Sequence, residues 1–533
     1  MKNISFKLIL FIAFLFLGIE AQAQSYFYVD IDAPAGGNGL SWSSAYNNLQ
    51  DGIDDAAATF SSNGVAGIVR VSDGMYPTPA SGFQLKNGVQ IWGGYNVRTN
   101  SSGSILPDWL INATRFFNET TTTIEHRQNV GIEVDENLGN QTILNGLFFR
   151  GENGNATNGI IINSALSFNA KIINCSFYNS RIVSGGALTR FTSTIVGSSF
   201  TTSATIDTGI HVYVISPDDL DLNISQTTFK NSSIRCYSNS IQNKVSNIVI
   251  DRCKFMHSSI TANHNSHVEA SNSIFSTLHP PSNYPFLQFH IYGASELVAT
   301  NCTFSSSEMF LSMNEQTYEN CIFYNIGYPS VNRYMAGGIY NFKNCLFNTS
   351  INTTSLINPQ TTVSFTNTIV ANPQFVSTNP NSTDFLKLSN NSPARNAGGN
   401  SFIPVSMTRG LGGNSRILER TVDIGAYEFC PSLGACRTTT TPQGGGHTPS
   451  RKMTAAIQNS EINSIVYPNP ATNVLNIKSK SEIISISLLN VQGQEVKKWN
   501  TKTELYIGDL PVGMYLLKVN TKEGTEHIRI IKE

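Results

Sequence analysis

The feature that most limits how this chain can fold is a four-residue phrase that returns throughout its middle. A polar residue or glycine comes first, then Cys, Ser or Thr, one variable residue, and Phe. The phrase reads Asn174-Cys175-Ser176-Phe177, Gly197-Ser198-Ser199-Phe200, Gln226-Thr227-Thr228-Phe229, Arg252-Cys253-Lys254-Phe255 and Asn272-Ser273-Ile274-Phe275. It continues as Asn301-Cys302-Thr303-Phe304, Asn320-Cys321-Ile322-Phe323 and Asn344-Cys345-Leu346-Phe347, with Asn367-Thr368-Ile369-Val370 as a last echo. Successive Phe positions lie 23, 29, 26, 20, 29, 19 and 24 residues apart, an irregular period near the length of one β-solenoid coil. Each phrase is β-prone, too short for an amphipathic helix, and bounded by Asn and Ser turns. So short a strand cannot bury its own apolar face, so it must lie on the strand of the next coil, about 4.8 Å away, with like residues over like.

The two-residue period of a strand puts Cys and Phe of each phrase on one face, toward the core. The leading Asn then points outward or into a bend, where repeated amides pass hydrogen bonds from coil to coil. Cys175, Cys253, Cys302, Cys321 and Cys345 read as small buried hydrophobes. They occur one per coil with no CxxC and no His at ligand spacing, so no metal site is expected. The fold class that follows is all-β, a right-handed parallel β-helix over residues 25–436. Both ends of such a stack expose strand edges that need cover. Within Ser43 to Phe60, Leu49, Ile53, Ala57 and Phe60 fall on one side at helical spacing, which predicts an N-terminal capping helix.

Met1-Lys2-Asn3, an apolar run from Leu8 to Ile19, and Ala21-Gln22-Ala23 before Gln24 have the order of a secretory signal, expected over residues 1–23 with cleavage between Ala23 and Gln24. The apolar run is shorter than the roughly 20 residues a spanning helix needs, and no transmembrane helix is expected in the mature chain. Charged residues make up 13% of the chain, with 35 Lys and Arg against 36 Asp and Glu, a formal charge of −1. No basic block follows a phosphate backbone, which argues against nucleic acid as a partner. Of eight cysteines, Cys430 and Cys436 alone have the local spacing of a disulfide in an exported chain.

Several further phrases carry a family resemblance. Tyr28-Val29-Asp30, Gly39-Leu40-Ser41-Trp42, Ala45-Tyr46, Leu49-Gln50, Val69 to Tyr76 and Ile91-Trp92-Gly93-Gly94-Tyr95 resemble the opening of bacterial pectate-lyase-like β-helix surface proteins. Asn372-Pro373, Asp384-Phe385, Ser392 to Gly398 and Asp423 to Phe429 resemble the closing module of the choice-of-anchor Q group. The resemblance implies a β-helix passenger whose anchoring device varies from member to member.

After Phe429 the texture changes. Thr438 to Thr441, Pro442 and Gly444 to Gly446 predict a flexible linker over 437–460. Alternating apolar residues with turns at Gly493, Gly513 and Gly524 then predict a small β-sandwich over 461–533. Tyr467-Pro468-Asn469-Pro470-Ala471, Asn490 to Gln494 around Gly493, Leu510 to Tyr515 with Gly513, and the terminal Ile530-Ile531-Lys532-Glu533 are similar to the type A C-terminal domain of type IX secretion substrates. That resemblance implies the type IX translocon and its sorting machinery as partners, and an extracellular or outer-membrane-surface location.

Chemistry is less legible. A polysaccharide lyase needs carboxylates that hold calcium against an acidic sugar, and a nearby base. The best local set is Asp218, Asp219 and Asp221 with Asp251 and Arg252 one coil on, which also reads as an acidic loop and a turn. No Ser-His-Asp order, phosphate loop or HExxH motif is present. The first expectation is therefore binding of a glycan or host surface by the long polar face, with Tyr284, Tyr292 and Tyr328 available to stack on sugars. No cofactor is expected, calcium entering only under the lyase alternative.

Overall fold

Every phrase opens at a corner of the chain. Asn174, Gly197, Gln226, Arg252, Asn272, Asn301, Asn320, Asn344 and Asn367 all adopt the left-handed backbone conformation, with φ between 48° and 61°. Asn and Gly reach that region at the lowest steric cost, which is why they dominate the first position; Gln226 and Arg252 occupy it with bulkier side chains. A second left-handed corner follows two residues after the phenylalanine in several coils, at Asn179, Asn231, His257, Ser306 and Asn325. Between the two corners lies a strand of three residues, such as Ser176–Tyr178 or Thr228–Lys230.

Repeated turning at these corners winds the chain into a right-handed parallel β-helix. The computed structural model describes residues 24–430 and 464–532. Within the first span it leaves out 98–104, 106–107, 114, 116–121, 128–129, 152–156, 204–209, 217–219, 239–245, 264–265, 277–288, 292–295, 307–314, 327–337, 350–361 and 405. Within the second it leaves out 468–470, 480–481, 490–494, 501–503, 511–512 and 522–523. The signal segment, Cys436 and the 437–460 linker therefore lie outside the described residues.

Among the described residues the β-helix has three parallel sheets. The long sheet has 13 strands, from Tyr26–Val29 to Thr362–Thr366. The sheet that carries the phrases has 12, from Gly74–Pro77 to Ile369–Val370, and the third has 8, ending at Phe289–Ile291. Register places Phe177 beside Phe200, Phe200 beside Phe229, and Phe229 beside Phe255. Their rings stack face over face at 4.5, 4.9 and 4.7 Å, and the column runs on through Phe275, Phe304, Phe323 and Phe347. Phe149 adds one more ring at 4.6 Å, behind a left-handed Gly146 that the sequence reading did not count as a phrase.

The phrase cysteines are buried as expected, though the corner rather than the strand pleat turns them inward, since each precedes its strand. Each thiol donates to carbonyls on its own and the preceding coil: Cys321 Sγ lies 3.3 Å from both Ala299 O and Glu319 O. Burial pushes the Cys175 thiol up to about 11, and those of Cys236 and Cys253 to about 12.

At the N-terminal end, helix α1 (Leu49–Asn63) starts later than the sequence reading placed it, because Trp42–Ser44 forms a short 3-10 turn and the Asn48 side chain caps Gln50 N. Left-handed Gly64 ends it, donating to Phe60 O. Leu49, Ile53 and Ala56 pack against Val29 and Val69 in the main core. Gly52 lets the helix approach this closely: a Cβ there would sit 2.7 Å from Val29 Cγ2.

The chain divides into two compact units, Met1–Pro449 and Ser450–Glu533. The second has a three-stranded antiparallel sheet (Ser464–Tyr467, Val474–Ser479, Glu504–Tyr506) and a four-stranded one that ends in the Gly513–Thr521 and Gly524–Lys532 hairpin. Leu475, Ile477 and Leu505 of the first meet Ile486, Leu488, Leu517, Val519 and Ile530 of the second in one core, the arrangement of a β-sandwich.

Two outcomes follow from the stacked core. Phe229→Ala, which opens a hole between two stacked rings, should destabilise the protein by about 3–5 kcal/mol and lower its melting temperature. The six free cysteines are all buried, so they should ignore Ellman's reagent in the native protein and react once denaturant unfolds it.

Candidate binding groove

The variable third residue of the phrase faces out of the β-helix, and its character changes along the stack. It is Ser176, Ser199, Thr228 and Lys254 in the earlier coils, where the two serine hydroxyls bond each other at 2.9 Å, then Ile274, Thr303, Ile322, Leu346 and Ile369. The described residues of 372–429 run back along the flank where it turns apolar. Phe385, Leu386, Ala426 and Tyr427 cover Met256 and Ile274, while Leu388, Ala394 and Ile424 cover Ile322 and Leu346.

The corner asparagines hold this closing segment. Asn301 Nδ2 donates to Asp423 O at 2.9 Å, and Asn320 takes Gly399 N at 2.7 Å while donating to Gly399 O at 3.1 Å. A coil-to-coil bond does link Asn320 Nδ2 to Asn301 Oδ1 at 3.4 Å, but these amides serve mainly to clasp the segment. Arg416 locks it from within. Its buried guanidinium reaches Asn272 Oδ1 at 3.1 Å, Glu428 Oε2 at 2.9 Å and several carbonyls, and Asp423 accepts from Asn396 N at 2.7 Å. Burial raises the carboxyl of Glu428 to about 7 and raises that of Asp423, with the attraction of Arg416 opposing both.

Farther along, residues 402–404 and 406–409 stand off the outer face of the long sheet as a strap and leave a groove of about 420 Å³. Register builds its floor. Val249, Glu269 and Val298 are neighbours across three coils, and Asp251, Ser271, Thr300 and Glu319 form the next column, spanning about 14 Å at the usual strand spacing. Phe402, Met407 and Arg409 line the strap side. Strand alternation aims these floor side chains outward, while Ile248, Val268 and Leu297 point into the core.

The groove's charges are mostly engaged. Asp251 meets Arg252 at 2.6 Å, Ser271 Oγ at 2.8 Å and Asn272 Nδ2 at 2.9 Å, and Glu319 meets Lys343 at 3.1 Å. His267 lies 2.9 Å from Glu269 and 3.2 Å from Glu296. Partial burial works against its charge, but the hydrogen bonds and attraction of the two carboxylates outweigh this and raise its pKa.

Of the catalytic candidates read from the sequence, Asp218 and Asp219 lie outside the described residues, as do Tyr284, Tyr292 and Tyr328. Asp221 and Asp251 sit on adjacent strands at opposite ends, Asp221 beside Asn247 and Asp251 beside Ser225, roughly 13 Å apart along the strand direction. Asp221 turns instead to Asn247 Nδ2 at 3.0 Å and Arg190 at 3.7 Å. Only Asp251 and Arg252 line the groove, bonded to one another. Among the described residues no group of three His, Cys, Asp or Glu side chains is placed to hold a metal ion. Glu269, Glu319, Phe402 and Arg409 lie outside every motif of the sequence. Outward parity on the long sheet was the available signal for the two glutamates, and none marked Phe402.

Elsewhere, Gln24 bonds Ala66 O at the start of the described chain, and Ala23 precedes it. Cys430 is disulfide-bonded. In the C-terminal unit Tyr467 ends the first strand, and Gly513 pairs with Lys532 at the open end of the last hairpin. Tyr515 is buried in the core, and Lys532 is buried and bridges to Ala471. Pro468, Asn469, Pro470 and Gly493 lie outside the described residues.

The chain is thus a β-helix with a C-terminal sandwich, and residues 465–533 match the secretion-system C-terminal sorting domain. This is an exported β-helix protein. Its tail is the sorting signal of type IX secretion substrates, which are extracellular or attached to the cell surface, and no helix among the described residues is long and apolar enough to cross a membrane. Pectin methylesterase from carrot is similar over 61% of this chain and 90% of its own, at 10% identity and a TM-score of 0.24. Bacteriophage CBA120 tailspike protein 3 is similar over 63% of this chain and 61% of its own, at 10% identity and a TM-score of 0.20. Neither likeness bears on activity. No curated protein matches the sequence.

Glu428→Ala leaves Arg416 buried without its charge partner, which should cost about 3–5 kcal/mol. The expected readout is a lower melting temperature, with new protease cleavage inside 372–429.

Proposed function

We propose that this protein is a glycan-binding or adhesin-like β-helix at the cell surface or in the medium, and that the groove between the long sheet and the strap carrying Phe402, Met407 and Arg409 is its binding site. The observation that carries the reading is a half-enclosed groove on a rigid face. It combines an aromatic ring at Phe402, an apolar floor at Val249 and Val298, and hydrogen-bonding groups at Ser271, Glu269 and Arg409. Sugar rings present apolar faces edged by hydroxyls, and such a mixed lining meets both. Fixed coils and unequal loops suit the recognition of an extended surface ligand.

Binding without turnover is favoured by the charges. A lyase needs carboxylates and a base that converge and are free to act, whereas Asp251 and Arg252 are engaged with each other. The surface-protein resemblance of the opening and closing phrases, including the choice-of-anchor Q module, supports the same reading.

The test is a glycan array with the full chain, followed by titration of the hits. Phe402→Ala should weaken binding about tenfold, near the worth of one good aromatic contact, without altering the melting temperature. Release of ultraviolet-absorbing unsaturated products from an acidic polysaccharide, abolished by chelator, would replace this reading with a calcium-dependent lyase. Delivery is tested separately: a reporter fused to residues 447–533 should reach the surface or medium of a host with type IX secretion, and periplasmic retention would count against the tail as a sufficient signal.

A further inference from the structure

The two ends of the stack are finished differently. The outer edge of the first strand, Tyr26–Val29, is occupied: Tyr28 N donates to Gly39 O and Asp30 N to Tyr46 O, both at 2.8 Å, and Tyr46 N returns to Tyr28 O at 2.9 Å. That edge is closed to another strand. Thr362–Thr366 ends the long sheet on the other side, and among the described residues no strand lies beyond it. Thr362 N donates back to Gly338 O and Thr366 O accepts from Asn344 N, both at 2.8 Å, so the alternating backbone aims the N–H and C=O groups of Val363 and Phe365 away from the stack. Phe365 continues the inner aromatic stack, 5.3 Å from Phe342, yet is 39% exposed, and Val370 on the last strand of the neighbouring sheet is 59% exposed. From Thr362 to Val370 the chain has no Lys, Arg, Asp, Glu or Pro, the residues that protect a bare edge in natural sheets.

We propose that this end is an interface where a second copy of the chain adds tail to tail, its Thr362–Thr366 strand antiparallel to the first about a two-fold axis at Ser364. The strand is chemically palindromic: Thr362, Val363, Ser364, Phe365 and Thr366 read polar, apolar, polar, apolar, polar in either direction. Pairing about Ser364 sets Val363 against Phe365 of the partner copy. Both are edge-facing residues, so each such pair exchanges both of its N–H···O bonds. Both side chains also belong to the inward face, where Val363 packs against the main core and Phe365 on Phe342, and the seam joins a β-branched residue to an aromatic one. Thr362 meets Thr366 on the outward face, another pairing that favours a sheet. A one-residue slip would lose every one of these matches. With the first strand's edge already bonded, strand-to-strand stacking cannot continue head to tail, and the assembly closes at two copies.

The experiment is sedimentation velocity of the full chain over a range of concentrations, which should show a reversible monomer–dimer equilibrium. Ser364→Lys sets like charges opposite one another at the axis and should weaken self-association at least about tenfold. It should leave the melting temperature of the single copy unchanged, because Ser364 is exposed there. Ser364→Cys should give a disulfide-linked dimer on mild oxidation: facing residues at a non-hydrogen-bonded position lie about 4.5 Å apart, within disulfide reach, and the six free thiols among the described residues are buried. A chain that stays monomeric at every concentration while Ser364→Cys remains uncrosslinked, a dimer untouched by Ser364→Lys, or growth into filaments would each overturn the interface.

Discussion

The left-handed residue at the head of each phrase turns the chain at the same point in every coil, and the rest of the molecule depends on that repeated turn. It sends the next residue into the core and leaves a strand too short to slip in register, so Phe must lie on Phe. The side chain that tolerates this backbone best is also an amide with donors and an acceptor. One residue type therefore sets the corner and furnishes the hydrogen bonds on the outside of it.

Those external bonds decide what happens at the flank. Corner asparagines from successive coils present a ladder of amides that are matched by the backbone of residues 396–425. Apolar outward residues from Ile274 to Leu346 supply the driving force, and the amides supply the register. Buried Arg416 ties the closing segment to itself and, through Asn272, to the coil that carries Asp251 and Arg252. The strap that forms one side of the groove is thus continuous with the segment that the corner ladder fixes, so the site's geometry is inherited from the stack.

Much of this architecture was legible in the chain. The phenylalanine column, the buried thiols, the capping helix and the sandwich after Phe429 all follow from local patterns that recur, and recurrence compensates for the weakness of any single short strand. The boundary of α1 shifted because Asn48 is the better cap and Trp42–Ser44 closes a turn of its own. The second corner leaves no mark in the sequence because Asn179, His257 and Ser306 share a backbone conformation and not a residue type.

The sequence by itself determined the coil, its core and its export signal, because these are set by interactions that repeat with a fixed spacing or lie within a contiguous tail. Only the tertiary structure decided the groove. Glu269 and Phe402 are 133 residues apart, and they line one space because the apolar flank and the corner amides hold the closing segment over coils laid down far earlier. It likewise separated Asp221 from Asp251, neighbours in successive coils whose positions at opposite ends of adjacent strands keep them apart. Periodicity specifies which residues share a column; where along the strand a side chain falls, and what covers it, depends on contacts between segments that no local pattern encodes.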